Sequence, residues 1–263
     1  MQFVRIPAWE GLNWLRHGFS TRDGGVSEVY GGRSLNLGWT KEDDPAHVAE
    51  NRRLFAEAVG GDGSALVTVR QIHSAESHGV REGDGPLATE EGRAVLEGDG
   101  LMTQAPGRLL GIQTADCVPV MVVDPARRAV AVFHAGWRGT VAAIVEAGVA
   151  QMQEEFGSRP EDLLAAVGPS IGPCCYAVGD EVRTAFGERF AYADQLFDER
   201  RLNLWEANRR QLVEAGIGED RITVVGECTG CALNAAGERR YFSHRIDRGV
   251  AGRMMSVVGI APE

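Results

Sequence analysis

No run of apolar residues in this sequence approaches the roughly 20 that a helix needs to cross a bilayer. The stretch from Met1 to Glu10 lacks a basic start followed by a long apolar core, so no secretory signal is read and a cytoplasmic protein is expected. Excess positive charge is missing too. A formal charge of -10 does not suit a broad grip on nucleic acid, although it leaves room for a local basic pocket. Cysteine is scarce and odd in number, five in a chain without a signal, which excludes a disulfide framework and points to reduced thiols or metal ligands. What remains is an ordinary soluble composition over 263 residues, long enough for one large α/β domain or two small ones.

The densest chemistry lies between Gln113 and Thr140. Apolar runs Val118 to Val123 and Ala129 to Phe133 flank Asp-Pro-Ala-Arg-Arg, and Pro125 suits the second position of a turn, so the segment predicts a β-hairpin. Cys117 and His134 then stand at its two outer ends, which antiparallel pairing brings together. A thiolate and an imidazole so placed serve either a metal ion or a Cys-His nucleophile pair. If Cys117 faces that site, Asp116 faces away for as long as the strand continues, because successive side chains alternate. Past His134, Gly136 and Gly139 put N–H groups and Arg138 at the start of a helix with an apolar face from Val141 to Phe156, either an anion site or a tight connection with Arg138 solvated.

Upstream, Gly18 to Gly38 concentrates glycines with Ser, Thr, Asn, Arg22 and Arg33, and reads as an anion-cradling loop or as a turn-rich surface segment. It matches neither the Walker nor the dinucleotide pattern. Asp44-Pro45 opens a covering helix with Val48, Phe55 and Val59 on one face, closed by Gly60-Gly61. Ala65 to Val80, alternating and rich in β-branched residues, predicts a strand carrying His73 near its end. A lone histidine there is more often structural, but with Cys117 and His134 it completes a three-ligand set. Imidazole and thiolate favour zinc, and three protein ligands with an open fourth position is the catalytic arrangement. Arg81 to Gly98 is acidic and glycine-rich, an exposed connection. Asp99, set between glycines, reads first as a turn residue and second as a group that orients a ligand histidine or a substrate amine.

Leu109 to Gln113 predicts a short strand, and the second half alternates again, with strands at Leu163 to Gly168, Ile222 to Gly226 and Met254 to Ile260 and helices at Asp180 to Phe186 and Leu202 to Ala215. Cys228-Thr-Gly-Cys231 has C-x-x-C spacing, but the vicinal Cys174-Cys175 is not a second such pair, which argues against a four-cysteine structural zinc site. Near the end, Ser243, His244 and Arg245 follow the aromatic pair Tyr241-Phe242, either closing over a substrate or forming a polar loop.

Seven ordered motifs carry a resemblance: Gly18-Phe-Ser-Thr-Arg-Asp-Gly-Gly-Val-Ser27, Ser34-Leu-Asn-Leu-Gly38, Gln71-Ile72-His73, Gly98-Asp99-Gly100-Leu101, Thr114-Ala115-Asp116-Cys117, His134-Ala-Gly-Trp-Arg-Gly139 and Gly168-Pro-Ser-Ile-Gly-Pro-Cys-Cys-Tyr176. Together they resemble the YfiH-type or laccase-domain family over essentially the whole chain. The resemblance implies a single α/β (α+β) domain over residues 1–263, with mixed β-sheets covered by helices, related in architecture to toxin deamidases that use a Cys-His pair. It implies one zinc ion on His73, Cys117 and His134. It further implies phosphorolysis of adenosine, inosine or methylthioadenosine, with adenosine deamination beside it; other members are called polyphenol oxidases or assigned to peptidoglycan editing. The sequence departs from the family where Ser74 replaces a common glycine after His73, which leaves the ligand intact, and between Cys228 and Arg240, which bears on substrate contacts near Ser243 to Arg245.

Residue chemistry fits that reading. A three-coordinate zinc brings the pKa of a bound water toward neutrality, as deamination needs. Phosphorolysis asks instead for arginines and N–H groups that hold phosphate against the sugar. Arg22 and Arg138 are the expected anion ligands, with Arg245 third and Ser243 beside it, while Asp99 and Asp116 are candidates for orienting a ligand or handling a proton. Rival classes stay in view. A Cys-His hydrolase or amidase would use Cys117 as nucleophile and His134 as base, without metal. A copper oxidase needs further histidines, and His17, His47, His78 and His244 offer no ligand-spaced pair. A binding module without catalysis does not call for an open-coordinate metal site.

Overall fold

The computed structural model describes residues 1–262. In chain order the strands are β1 (Phe3–Val4), β2 (Leu15–Ser20), β3 (Asp23–Ser27), β4 (Leu66–Thr68), β5 (Ser77–Val80), β6 (Gly100–Thr103) and β7 (Leu109–Thr114). They continue with β8 (Val118–Asp124), β9 (Ala129–Ala135), β10 (Leu164–Val167), β11 (Phe197–Asp198), β12 (Arg201–Leu202), β13 (Ile222–Val224) and β14 (Met254–Ile260). The helices are α1 (Pro45–Ala58), α2 (Trp137–Val141), α3 (Ile144–Phe156), α4 (Asp180–Arg189) and α5 (Leu204–Glu214). Among the described residues no helix is long and apolar enough to cross a membrane.

Side-chain alternation builds the layers. Along β8, Val118, Val120 and Val122 join one apolar cluster while Met121 and Val123 join another, and β9 divides Ala131 and Phe133 from Val130 and Val132 in the same way. The first cluster packs this sheet, ordered β13-β10-β8-β9-β6-β5, against α3, α4 and α5. The second fills the space between it and another sheet, ordered β1-β2-β14-β7-β4, through Phe19, Leu110, Ile112 and Val258. On the outer face of that sheet, Leu109, Met255 and Val257 meet Phe55 and Val59 at the α1 end. The architecture is the expected mixed α+β arrangement of sheets covered by helices, and both sheets combine parallel with antiparallel pairs.

The predicted hairpin is β8 and β9, paired from Val118 with Ala135 to Asp124 with Ala129. Its turn is fixed by Asp124, whose carboxylate accepts the N–H groups of Ala126 at 2.9 Å and Arg127 at 3.0 Å. Two expectations need correction. Ala65 to Val80 is not one strand: β4 belongs to the first sheet and β5 to the second, and residues 69–76 cross between them. The Val141 to Phe156 helix is also broken, because Ala143 takes a left-handed φ of 61° between α2 and α3.

Candidate metal centre

His73 lies on the crossing segment, Cys117 immediately before β8, and His134 next to last in β9. Their ligand atoms all fall within 4.8 Å of one another. The His73 and His134 rings meet edge to face with centroids 4.9 Å apart. Space for the cluster depends on Gly136, where a Cβ would stand 2.9 Å from Cys117 Sγ and 3.2 Å from His73 Cδ2.

One carboxylate organises all of this. Asp99 is fully buried, and one of its oxygens accepts the Nδ1–H of His134 at 2.7 Å and the backbone N–H of His73 at 3.0 Å. Its other oxygen accepts the N–H groups of Ile72 and Ser74 and the Ser74 hydroxyl at 3.2, 2.6 and 2.8 Å. The chain is thereby wrapped around a carboxylate, and His73 takes a left-handed φ of 61°. That is the physical reason the predicted strand ends before His73. Asp99 is therefore no mere turn residue; it orients the His134 ring and holds the 72–74 backbone around itself. Because a carboxylate only accepts, Nδ1 of His134 carries a proton, and Nε2 is the ring nitrogen left for the centre.

The electrostatics make Cys117 and His134 a thiolate–imidazolium pair, so a metal ion on Nε2 would displace a proton from it. Burial opposes the charge on Asp99, but bonds from His134 and Ser74 outweigh it and bring the carboxyl down to about 2. Burial likewise opposes ionisation of Cys117, yet the charge and hydrogen bond of His134, joined by His73, lower the thiol to about 6. His134 moves the other way: burial disfavours its cation, but Cys117 and Asp99 raise it to about 9. Two imidazoles and a ready thiolate are the donor set of a borderline-soft divalent ion. With the Gly136 space and the oriented His134, the residues fit a mononuclear metal.

The centre lines a cavity of about 650 Å³ whose wall also carries Trp39, Arg70, Arg93, Gln113, His244 and Arg253. That volume suits a small-molecule site. Gln71 ties the His73 segment to β7, donating to the Gln113 carbonyl at 2.7 Å and accepting its N–H at 2.9 Å. The Arg253 guanidinium donates to the Ala251 and Gly252 carbonyls at 2.6 and 3.1 Å, and the Arg253 backbone N–H donates to Asn36 Oδ1 at 2.9 Å. Arg93 lies 5.6 Å from the Trp39 ring centre, and Arg70 pairs with Glu97.

The predicted anion residues stand elsewhere, and each has a structural occupation. Arg22 donates to the Tyr30 carbonyl and lies 5.2 Å from the Phe242 ring centre. Arg138 is exposed over Trp137, at 4.4 Å. The Ser243 hydroxyl is buried, accepting the Ile246 N–H at 3.3 Å. Arg245 donates to the Ala177 carbonyl at 2.7 Å and covers Tyr176. None of the four lines the cavity. The glycine-rich loop also spends N–H groups internally: Val26 N–H goes to Asn51 Oδ1 at 2.8 Å and Gly38 N–H to Asn36 Oδ1 at 3.1 Å. Asp116 lies in the bend between β7 and β8 with a positive φ of 92°, so strand alternation does not govern it, and its carboxylate accepts the Thr229 hydroxyl at 2.6 Å and the Arg245 N–H at 2.7 Å.

Sequence reasoning missed Arg70, Arg93, Arg253 and Trp39. A trace existed for Arg253: Gly38, in the Ser-Leu-Asn-Leu-Gly motif, is a residue whose Cβ would come 2.5 Å from Arg253 Cγ.

This mixed-sheet fold is that of the laccase-domain class. The chain belongs to the family described as multi-copper polyphenol oxidoreductase laccase, whose model matches residues 16–261. Its similarity runs end to end: it is 36% identical to the purine nucleoside phosphorylase YlmD of Geobacillus stearothermophilus, over 95% of both chains. It is 35% identical to the purine nucleoside phosphorylase YfiH of Escherichia coli, over 98% of this chain and 99% of that one. Among solved structures, the Bacillus licheniformis hypothetical protein YfiH superposes with a TM-score of 0.88 at 37% identity, covering 98% of this chain and 96% of the other.

Proposed function

We propose that the chain is a zinc-dependent purine nucleoside phosphorylase, a single catalytic domain that splits adenosine, inosine or methylthioadenosine with phosphate in the cytoplasm and deaminates adenosine as a side reaction. The observation that carries this reading is that His73, Cys117 and His134 meet on the wall of one cavity with Arg70, Arg93 and Arg253. The relatives' name, purine nucleoside phosphorylase, supports the substrate class.

His73, Cys117 and His134 would hold the ion. When bound, zinc supplies Lewis acidity and a water acidified toward neutrality. The remaining work falls to the chain. Arg253, Arg93 and Arg70 neutralise phosphate and present it to the sugar carbon, since planar guanidinium groups match its oxygens. Trp39, Val69, Ala94 and Ala115 offer the base an apolar wall. His244, exposed at the cavity edge, is placed to protonate the departing purine. Asp99 keeps His134 in the tautomer that frees Nε2.

A second reading is favoured by one observation: Asp99, His134 and Cys117 are linked in the order of a hydrolase triad, which suits an amidase acting in peptidoglycan editing. His73 weighs against it, because a triad needs no third ligand. The copper-oxidase reading stays weak, since His17, His47 and His78 are each engaged with protein groups away from the centre.

Metal content and base release, measured on one sample, decide. Zinc in the purified protein, with adenine or hypoxanthine released only when phosphate is present, is the expected result. Metal-free protein without purine turnover would overturn the proposal, and bound copper with phenol oxidation would replace it.

A further inference from the structure

A second group of soft ligands lies outside the cavity just described. Cys174 and Cys175 sit on the turn after Pro173, and Cys228 and Cys231 on the loop after β13. All four Sγ atoms lie within 4.8 Å of one another, although Cys174 and Cys231 are 57 residues apart in sequence. The spacing of Cys174 and Cys175 gave no hint of this, because the second pair is completed by folding.

The Cys174 and Cys231 sulfurs are 3.6 Å apart. A disulfide would hold them at about 2.05 Å. Zinc bound to four thiolates at about 2.3 Å gives a tetrahedron with edges of about 3.8 Å. The observed separation is far from a disulfide and within about 0.2 Å of such an edge, with no rearrangement of the two thiols needed to close it.

The backbone supports the same arrangement. Gly172 N–H donates to Cys228 Sγ at 3.1 Å, a bond that stabilises charge on sulfur. The Cys228 carbonyl accepts from Cys231 N–H at 3.3 Å and Ala232 N–H at 2.9 Å, which turns Cys228-Thr-Gly-Cys231 back on itself and brings both sulfurs to one side. Glycine is needed on both flanks: a Cβ on Gly230 would stand 3.0 Å from Cys175 Cβ, and one on Gly172 3.2 Å from Cys228 Cβ.

We propose that Cys174, Cys175, Cys228 and Cys231 bind a zinc ion as a closed four-thiolate structural site. Binding displaces the thiol protons to solvent and leaves no open position for substrate. Its effect is to clasp the 172–176 turn to the 228–231 loop, reinforcing the Gly172 N–H bond to Cys228 Sγ and the neighbouring bridge between Ser170 and Cys228. Those segments carry Thr229, whose hydroxyl holds Asp116 beside Cys117, and Tyr176, which lies under Arg245. The clasp therefore stiffens the backing of Cys117 while taking no part in the nucleoside reaction itself.

The test is metal stoichiometry. The full chain, purified with reductant, stripped and reloaded with zinc sulfate alone, should carry a second zinc that Cys174→Ser and Cys231→Ser each remove. Both positions are exposed, so the variants should fold, and far-UV circular dichroism checks that they do. Cys117→Ala should lose the other zinc and keep this one. Should the histidine centre bind nothing, wild type would hold one zinc and the serine variants none, so the loss decides rather than the total. Cobalt(II) reloading reads ligand type: Cys117→Ala should retain the intense thiolate charge-transfer and visible bands of a four-sulfur site, and adding Cys231→Ser to Cys117→Ala should abolish them. Unchanged zinc content in Cys174→Ser and Cys231→Ser would overturn the proposal. So would a Cys174–Cys231 disulfide that takes up no metal once reduced.

Discussion

His17 and His134 are both buried on interior strands, 7% and 3% exposed, and they titrate in opposite directions. His17, on β2, packs edge-on to Trp9 at 5.0 Å, and its Nε2 accepts the Ile6 N–H at 3.0 Å. Burial, aided by the charge of Arg5, pushes it down to about 4. His134, on β9, is under the same pressure from burial, but Asp99 on one side and Cys117 on the other reverse it. Burial alone makes a histidine neutral and inert. A carboxylate on the far nitrogen and a thiolate on the near side hold it charged and oriented.

The largest break in that comparison is Cys117→Ala. With a ligand gone, the centre should empty and phosphate-dependent base release fall on the order of a thousandfold, several kcal/mol of transition-state stabilisation. Retained zinc with lost turnover would instead assign Cys117 as a nucleophile. Next is His17, whose folded pKa of about 4 lies below its unfolded value of about 6.5. A depressed pKa means its contribution is fully present above pH 6.5 and is lost as pH falls through 4. The loss is on the order of 3 kcal/mol. Denaturant midpoints at pH 7 and pH 4 should show it in wild type, while His17→Gln, able to accept the Ile6 N–H without titrating, should show a shallower drop. Equal drops would mean His17 is not the group that titrates.

Asp99→Asn sharpens the other half. The amide keeps the size of the carboxylate but offers N–H where His134 Nδ1–H and the His73 N–H need acceptors. Metal affinity should fall roughly 10- to 100-fold. Competition with a chelator measures it, and unaltered affinity would demote Asp99 to a purely structural carboxylate.

These residues also mark where the sequence was legible. The β8 and β9 hairpin announced itself because its apolar runs and its Asp-Pro turn are adjacent, so Cys117 and His134 could be placed at its ends. The α1 start was equally local, with Asp44 accepting the Ala46 N–H ahead of Pro45. His73 was placed on a strand because its neighbours are β-branched; what ends the strand is Asp99, 26 residues away, and no local pattern records that bond. The break at Ala143 occurs without glycine or proline, so periodicity carried the helix straight through it. The arginines follow a related pattern. Glycine-rich surroundings made Arg22 and Arg138 look like anion ligands, whereas the cavity draws Arg70, Arg93 and Arg253 from segments that only the fold brings together.

That last contrast gives the smallest and most selective prediction. Arg253 is half-buried, and two carbonyls and Asn36 fix it at the cavity wall, so little ordering is left to pay when phosphate binds. A charge-assisted hydrogen bond is worth roughly 1.5–3 kcal/mol, and solvent access places Arg253 at the low end, about tenfold. Arg253→Gln should therefore raise the KM for phosphate about tenfold with a smaller change for nucleoside. Arg70 is exposed and shared with Glu97, so Arg70→Gln should do less. Arg22→Gln should leave the phosphate KM unchanged, because its guanidinium is committed to the Tyr30 carbonyl and the Phe242 ring. Steady-state kinetics with phosphate varied at saturating inosine separates the three. A phosphate defect in Arg22→Gln with none in Arg253→Gln would return the anion site to the glycine-rich loop.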